Sequence, residues 1–299
     1  MSIDKPLCQA ESGPAMRPSF VCHADILGFC ELSRAEIDKG HGEAFLERLY
    51  GVLSTAHTRL QYALDAPSPT LWAEKFKMKV YTDNVILGYP IRGIESDPQR
   101  HGELEWEQIF PMFASFQTTL ATEGFFLRGG IAFGDFFMDS IVVFGKPLFD
   151  AHDMDKSGGP PRIVLHGSAE KELRKHSEAR GDGSLPGLRQ DADGKWFIDY
   201  LHWAFARQFP NGDMPLDVIQ KHKQWIEDRL LQNIGDKGVF PKYKWLADYH
   251  NSFCRDFACS PPGSALWPKG NSVCGAWRAE AQKLRNFTIE IEAVTARKA

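Results

Sequence analysis

Two acids stand where acids are costly. Asp25 closes the apolar run Phe20-Val21-Cys22-His23-Ala24 and is followed at once by Ile26-Leu27-Gly28-Phe29, while Asp83 separates Val80-Tyr81-Thr82 from Val85-Ile86-Leu87. A carboxylate drawn toward a protein interior must be paired, hydrogen-bonded or set against a cation. The fold therefore has to find a partner for each acid, and a fold that joins them makes a divalent-cation site.

Periodicity decides whether they can meet. Residues 19–27 are a short apolar run between Pro18 and Gly28, the pattern of a buried strand. Ser33 with Glu36 reads as a capping box opening a helix that carries Ile37, Phe45, Leu49, Leu53 and Leu60 on one side. Residues 75–82 alternate, Phe76, Met78 and Val80 against Lys75, Lys77, Lys79 and Tyr81; Asp83-Asn84 is turn chemistry and Val85–Tyr89 a second strand. A helix with Trp106, Ile109, Phe110, Phe113, Phe116 and Leu120 follows, then a strand over Phe125–Phe133. The expected fold is α+β, in the order β-α-β-β-α-β of the ferredoxin-like or palm motif. Right-handed crossovers put the first strand beside the hairpin, in the middle of one antiparallel sheet, so that Asp25 and Asp83 meet at a sheet edge.

Two facing carboxylates repel unless a cation lies between them, and Mg²⁺ or Mn²⁺ suits oxygen ligands. Gly28 lets the chain bend so that the amides of residues 27–30 (Leu27, Gly28, Phe29 and Cys30) turn toward a phosphate. Arg128, beside Gly129-Gly130, offers a planar fork that matches phosphate oxygens. Each residue also has a plain reading. Asp83 serves as a turn residue, Arg128 as a surface strand residue paired with an acid, Lys79 as one of a solvated lysine face, and His23 and His152 as structural histidines.

At these residues the chain resembles the class III nucleotidyl cyclases, whose first metal aspartate lies in Asp-Ile-x-Gly-Phe and whose second lies in a later hairpin. Here the segment is Asp25-Ile26-Leu27-Gly28-Phe29 and the second acid follows 58 residues on; Leu127-Arg128-Gly129-Gly130-Ile131-Ala132-Phe133-Gly134 is similar to the family's Arg-x-Gly-Ile-x-x-Gly strand. The likeness spans roughly residues 19–175. It departs from ordinary adenylyl and guanylyl cyclases over Gly145–Asp155, which holds neither the Asn nor the Arg that those enzymes use on the ribose and in the transition state. Thr82-Asp83-Asn84, Leu127–Gly130 and the tail segment Lys242-Tyr243-Lys244-Trp245-Leu246-Ala247 look instead like the stand-alone pyrimidine cyclases of bacterial Pycsar anti-phage systems.

That resemblance implies a reaction and a cast of residues. A pyrimidine nucleoside triphosphate, UTP favoured over CTP, would become a 3′,5′-cyclic nucleotide plus pyrophosphate. Asp25, Asp83 and the Ile26 carbonyl would hold two Mn²⁺ or Mg²⁺ ions, and Arg128 with the amides of Leu27, Gly28, Phe29 and Cys30 would hold the triphosphate. Lys79 occupies the place of the adenylyl cyclases' base-selecting lysine, and Tyr81 and Thr82 compete with it to read the base. The substrate would lie in the groove of a head-to-tail homodimer, and the product would act on a separate cyclic-nucleotide-binding effector. Three rivals stand beside this reading: a diguanylate-cyclase-like enzyme, whose Gly-Gly-Asp-Glu-Phe hairpin is absent; a nucleotide-binding sensor with a dead site; and an interaction module, which leaves the paired acids unexplained.

A net charge of −4 over 299 residues argues against a nucleic-acid-coating surface. No run of eighteen apolar residues occurs and Met1–Pro18 lacks the apolar centre of a signal peptide, so a cytoplasmic protein without a membrane partner is expected. Cys8, Cys22, Cys30, Cys254, Cys259 and Cys274 form no Cys-x-x-Cys pair and read as reduced thiols. The expected organisation is a flexible tail over 1–18, a catalytic domain over 19–175 and, over 176–299, a loop followed by a helical cap. Residues 177–195 read as linker, followed by Trp196–Ala206, a helix near Pro215–Asn233 and another near Pro241–Phe257.

Overall fold

A strand buried on both faces organises the sheet. In the computed structural model, which describes residues 14–64, 77–91, 103–155, 159–180, 185, 187–207, 216–259 and 281–297, Arg17–Ile26 form β1, with Ser19–Ala24 continuously buried. Helices α1 (Phe29–Asp38) and α2 (Gly42–Leu64) lead to the hairpin β2 (Lys77–Tyr81) and β3 (Asn84–Pro90). Helix α3 (Glu103–Ala121), β4 (Leu127–Met138), the short β5 (Val143–Phe144) and α4 (Lys146–Asp155) follow. Beyond them come β6 (Ile163–Leu165), α5 (Gly167–Arg180), β7 (Leu188–Gln190), β8 (Trp196–Ile198), α6 (Tyr200–Arg207), α7 (Leu216–Gln232) and α8 (Phe240–Cys259).

The mixed sheet runs β2-β3-β1-β4-β6-β8-β7, with β5 paired to β4. β1 lies antiparallel between β3 and β4, as its double-sided apolar pattern anticipates, and β4 and β6 are the parallel pair. Phe20, Cys22, Ala24 and Ile26 join Leu49, Val52 and Phe113 of α2 and α3 in the main core. The alternate residues Val21, His23 and Asp25 face the other way, where α4 lies against β1 and β4.

Three expectations are corrected. Ser33 does not cap a helix; it lies inside α1, and the single long helix is two, broken at Gly40, whose φ of 79° is open to glycine. Lys75 and Phe76 lie outside the described residues, and Val80, on edge strand β2, is 39% exposed rather than buried. The expected linker over 177–195 contains β7, and β8 follows it, so the sheet continues past residue 175 and the core crosses that position without a break. Arg162 bolts this extension down, pairing with Asp191 and Asp193 while stacking over Phe197 and Trp245. No helix among the described residues is long and apolar enough to cross a membrane. Cys22, Cys30, Cys254 and Cys259 are free thiols.

The C-terminal helices are tied in by a buried polar chain. His250 Nε2 lies 2.9 Å from the Phe287 carbonyl, which can only accept, so Nε2 carries the proton. Nδ1 of His250 then accepts from Nδ1–H of His222 at 2.9 Å, and Nε2 of His222 accepts from the Tyr200 hydroxyl at 2.6 Å. Every link needs both imidazoles neutral. Burial pushes His250 down to about 4, with Lys223 adding to the effect, and burial with His250 nearby pushes His222 well below its ordinary value. The unfolded chain therefore binds protons that the folded chain refuses, so stability is full above pH 6.5 and falls as the pH drops from 6.5 toward 4. His250 alone should cost roughly 3 kcal/mol by the low end, from about 1.4 kcal/mol per pH unit. Urea denaturation at pH 7 and pH 5 should show about 2 kcal/mol of this loss from His250, and His250→Gln, which keeps a donor for the Phe287 carbonyl, should reduce it; equal stability at both pH values in the parent protein would contradict the assignment.

Candidate functional site

Strand register builds one row of side chains across four strands. Tyr81 of β2 pairs with Asn84 of β3, Asn84 with Asp25 of β1, and Asp25 with Arg128 of β4. Directly paired residues project to the same side of a sheet, so all four share one face, away from the main core. His23 and Lys79 lie on that face one pair further along, both aligned with Ile86.

Asp25 and Arg128 form a forked ion pair. Arg128 Nε donates to Oδ1 at 3.2 Å and Nη2 to Oδ2 at 2.6 Å, with the two side chains 14% and 21% exposed. Two parallel charge-assisted bonds fix direction as well as distance, so this carboxylate is held square to the guanidinium. The plain reading of Arg128, a strand residue paired with an acid, is thus met, and the acid is Asp25.

Asp83 arrives at the same end of β1 through the hairpin. Its carbonyl accepts from the Ile26 amide at 3.1 Å, and its Oδ1 accepts from Asn84 Nδ2 at 3.1 Å. Thr82 sits at the tip with a φ of 55°, a strained value for a β-branched residue, and its hydroxyl lies 2.8 Å from Asp83 Oδ1 and 2.6 Å from the Tyr81 carbonyl. One proton faces two acceptors, so Thr82 orients Asp83 and its own turn. Tyr81 is 76% exposed at the end of the row.

Both acids act on His23, pulling its pKa upward, but burial and the neighbouring His152 prevail and bring it to about 4, so His23 is neutral at pH 7. The His23 and His152 rings meet edge-on with centroids 4.6 Å apart, and Nδ1 of each is buried without a hydrogen-bond partner. The two-residue spacing of His23 and Asp25 could have placed His23 beside the acids from sequence alone.

The turn after Asp25 differs in one respect from expectation. The Leu27 amide donates to the Phe126 carbonyl at 2.8 Å and its side chain is buried, so Leu27 has no N–H to offer a phosphate. Gly28 takes φ 70° at the start of α1, where the first amides of a helix lack intrahelical partners, which leaves Gly28, Phe29 and Cys30. Phe29 packs partly into the core near Phe45, and Cys30 is exposed.

Gly129 and Gly130 have a packing reason. A Cβ on Gly129 would collide with the His23 carbonyl and Ala24, and one on Gly130 would lie 2.7 Å from the Ala151 carbonyl and from Met154 of α4. The glycines bring β1, β4 and α4 close enough for Arg128 to reach Asp25.

Among the described residues no group of three or more His, Cys, Asp or Glu is arranged to hold a metal. The donor chemistry present is two carboxylates and nearby carbonyls, all hard oxygen. Mg²⁺ commonly rests on one or two protein carboxylates plus substrate phosphates, and the residues fit that requirement.

No family model matches the chain, and no curated protein matches it. Among solved structures it is similar to one described as a bacterial light-regulated adenylyl cyclase, at 12% identity and a TM-score of 0.36, over 72% of this chain and 57% of that one. The chain thus spans little more than half of that neighbour's length, and a likeness at this score does not identify a fold family.

Gly129→Ala should cost more than about 3 kcal/mol in folding stability, because the β1 backbone at His23 and Ala24 must move. Gly134→Ala, whose Cβ would lie 3.4 Å from Pro147, should cost under about 1 kcal/mol. Chemical denaturation compares the two, and equal losses would contradict the close-approach account.

Proposed function

We propose that this end of the sheet binds the triphosphate of a nucleotide and that the protein is a metal-dependent nucleotidyl cyclase. The observation that carries the reading is the convergence of Asp25, Asp83 and Arg128 beside the turn at Gly28. In the cyclisation the ribose 3′-oxygen forms a bond to the α-phosphorus, the bond from that phosphorus to the pyrophosphate oxygen breaks, and the 3′-hydroxyl proton leaves to solvent. Asp25, Asp83 and the Ile26 carbonyl would hold Mn²⁺ or Mg²⁺. When bound, such ions acidify the 3′-hydroxyl and neutralise charge on the β- and γ-phosphates. Arg128 would exchange its carboxylate partner for phosphate oxygens, a substitution its planar fork makes without loss of geometry. The amides of Gly28, Phe29 and Cys30 would receive the pyrophosphate end at the N-terminus of α1.

Resemblance to the Pycsar cyclases favours a pyrimidine, and Lys79, Tyr81 and Thr82 stand near the row as candidates to read its ring. Within the pyrimidines UTP and cyclic UMP are favoured, with CTP and cyclic CMP as the alternative; the product would serve as a second messenger in anti-phage defence, acting on a separate effector. The missing Asn and Arg over Gly145–Asp155 favour the rival reading of a nucleotide-binding sensor without turnover. A second copy of the chain would complete the groove. Support for a homodimer comes from Ile141, Phe144 and Phe149, which are 83%, 55% and 56% exposed in and around β5 and α4.

Asp25→Ala and Asp83→Ala should each abolish cyclic nucleotide formation while leaving the circular dichroism spectrum unchanged, since losing one anchor of a shared ion site removes several kcal/mol of transition-state stabilisation. Turnover within tenfold of the parent in either variant contradicts the assignment. The ratio of kcat/KM values for the four ribonucleoside triphosphates tests the base, and a preference for ATP or GTP overturns the pyrimidine reading.

A further inference from the structure

A polar cleft lies on the side of the sheet opposite the Asp25 row, among α2, α3 and α7. It encloses about 460 Å³, within the size range of small-molecule sites. Arg48, Val52, Thr55 and Arg59 follow the i, i+4, i+7, i+11 spacing that puts them on one face of α2, and all four line the cleft. Thr118 and Thr119 of α3, with Thr122 just past its end, form the second wall, and Val218 and Lys221 of α7 the third.

The two arginines are held in place by groups that leave their charge unmet. Arg48 lies over the rings of Phe45, Phe125 and Trp225, at 5.5, 5.1 and 5.0 Å, and its buried Nε has no hydrogen-bond partner. Three aromatic faces stabilise a guanidinium by cation–π attraction but accept no hydrogen bond in the plane of the fork. Arg59 donates Nη1 to the Thr119 hydroxyl at 3.0 Å, a neutral acceptor that itself donates to the Ser115 carbonyl. No ion pair involves either arginine among the described residues. By contrast Lys221 is matched to Glu123 at 3.4 Å.

A guanidinium fork fixed by packing in the wall of a cleft is prepared for a planar or tetrahedral oxyanion. The acids of the rim qualify what the anion is attached to. Glu47 and Asp217 also line the cleft, and a bare polyanion filling it would face both. A ligand with one phosphate at the Arg48 and Arg59 wall and hydroxyl or amino donors toward Glu47 and Asp217 satisfies both signs. We infer that this cleft is a binding site for a small phosphate ester carrying hydroxyl or amino groups, of nucleoside-monophosphate size, and that Arg48 and Arg59 hold its phosphate.

The site is separate from the Asp25 row, because α2 and α3 cover the sheet face opposite to it. Ligand at this cleft would bridge α2, α3 and α7, and so join the first half of the chain to its C-terminal helices. The site stands whether or not the Asp25 row is catalytic.

Isothermal titration of the full chain with inorganic phosphate, at constant ionic strength in chloride, tests the assignment, with tryptophan fluorescence reporting on Trp225 beside Arg48. Saturable binding should appear in the millimolar range or tighter. Exposed Arg59, replaced as Arg59→Gln, should weaken it at least tenfold without loss of fold, and Arg48→Lys, which keeps the charge but not the fork, should weaken it as well. The fluorescence change should saturate at the same phosphate concentration as the heat, since Trp225 packs on Arg48 and away from the Asp25 row. Phosphate that acts no differently from chloride, binding retained in Arg59→Gln, or heat without a matching fluorescence change would each overturn the inference.

Discussion

The forked bond between Asp25 and Arg128 is the interaction around which the sheet face is built. It spans the two central strands, and it forms only because β1 and β4 pair in a register that sets these residues directly opposite each other. A slip of β1 by one residue would turn Asp25 toward the apolar core, where Phe20, Cys22, Ala24 and Ile26 now pack, and leave Arg128 without it. The glycines after Arg128 permit the close approach, and the hairpin brings Asp83 to the same end of β1 through the bond from the Ile26 amide. The pair also neutralises Asp25 at a half-buried site, so the second acid can sit nearby without an unshielded like charge opposite it.

Much of this geometry was legible in the sequence because its signals are local. Alternation over the hairpin, turn chemistry at Asp83-Asn84 and the uninterrupted apolar run of β1 were enough to put the two acids at one end of one strand. The Asp25–Arg128 pair was not singled out, since pairing across 103 residues follows from register, which no local pattern contains. The Leu27 amide misled for the same reason: its acceptor, the Phe126 carbonyl, belongs to a distant segment. Ser33 and Glu36 have the spacing of a capping box, but the left-handed turn at Gly28 starts the helix earlier, and Gly40 rather than the N-terminal signal sets where it breaks.

The segment beyond residue 175 was read least well. Gly-rich and charged stretches there suggested a linker, whereas β7 and β8 are short strands stabilised from outside, by Arg162 on the Asp191 and Asp193 carboxylates and by the Trp245 indole bonded to Asp191. Three-residue strands carry too little alternation to be seen. The aromatic stripes of α7 and α8 are core, as their spacing suggested, but the histidines within them, His222 and His250, form a proton-ordered chain with Tyr200 that no periodicity reveals. The base preference rests on resemblance alone, because Lys79, Tyr81 and Thr82 are all near the row and none is committed to a partner that would define a ring edge.

The claim that these parts make a cyclase is tested most directly by its product. The full chain is incubated with an equimolar mixture of ATP, GTP, CTP and UTP and Mn²⁺, and the products are identified by mass. The account predicts a 3′,5′-cyclic mononucleotide, with a pyrimidine base, formed together with an equal amount of pyrophosphate. Triphosphates recovered intact, or converted to linear mono- or dinucleotides, would contradict it.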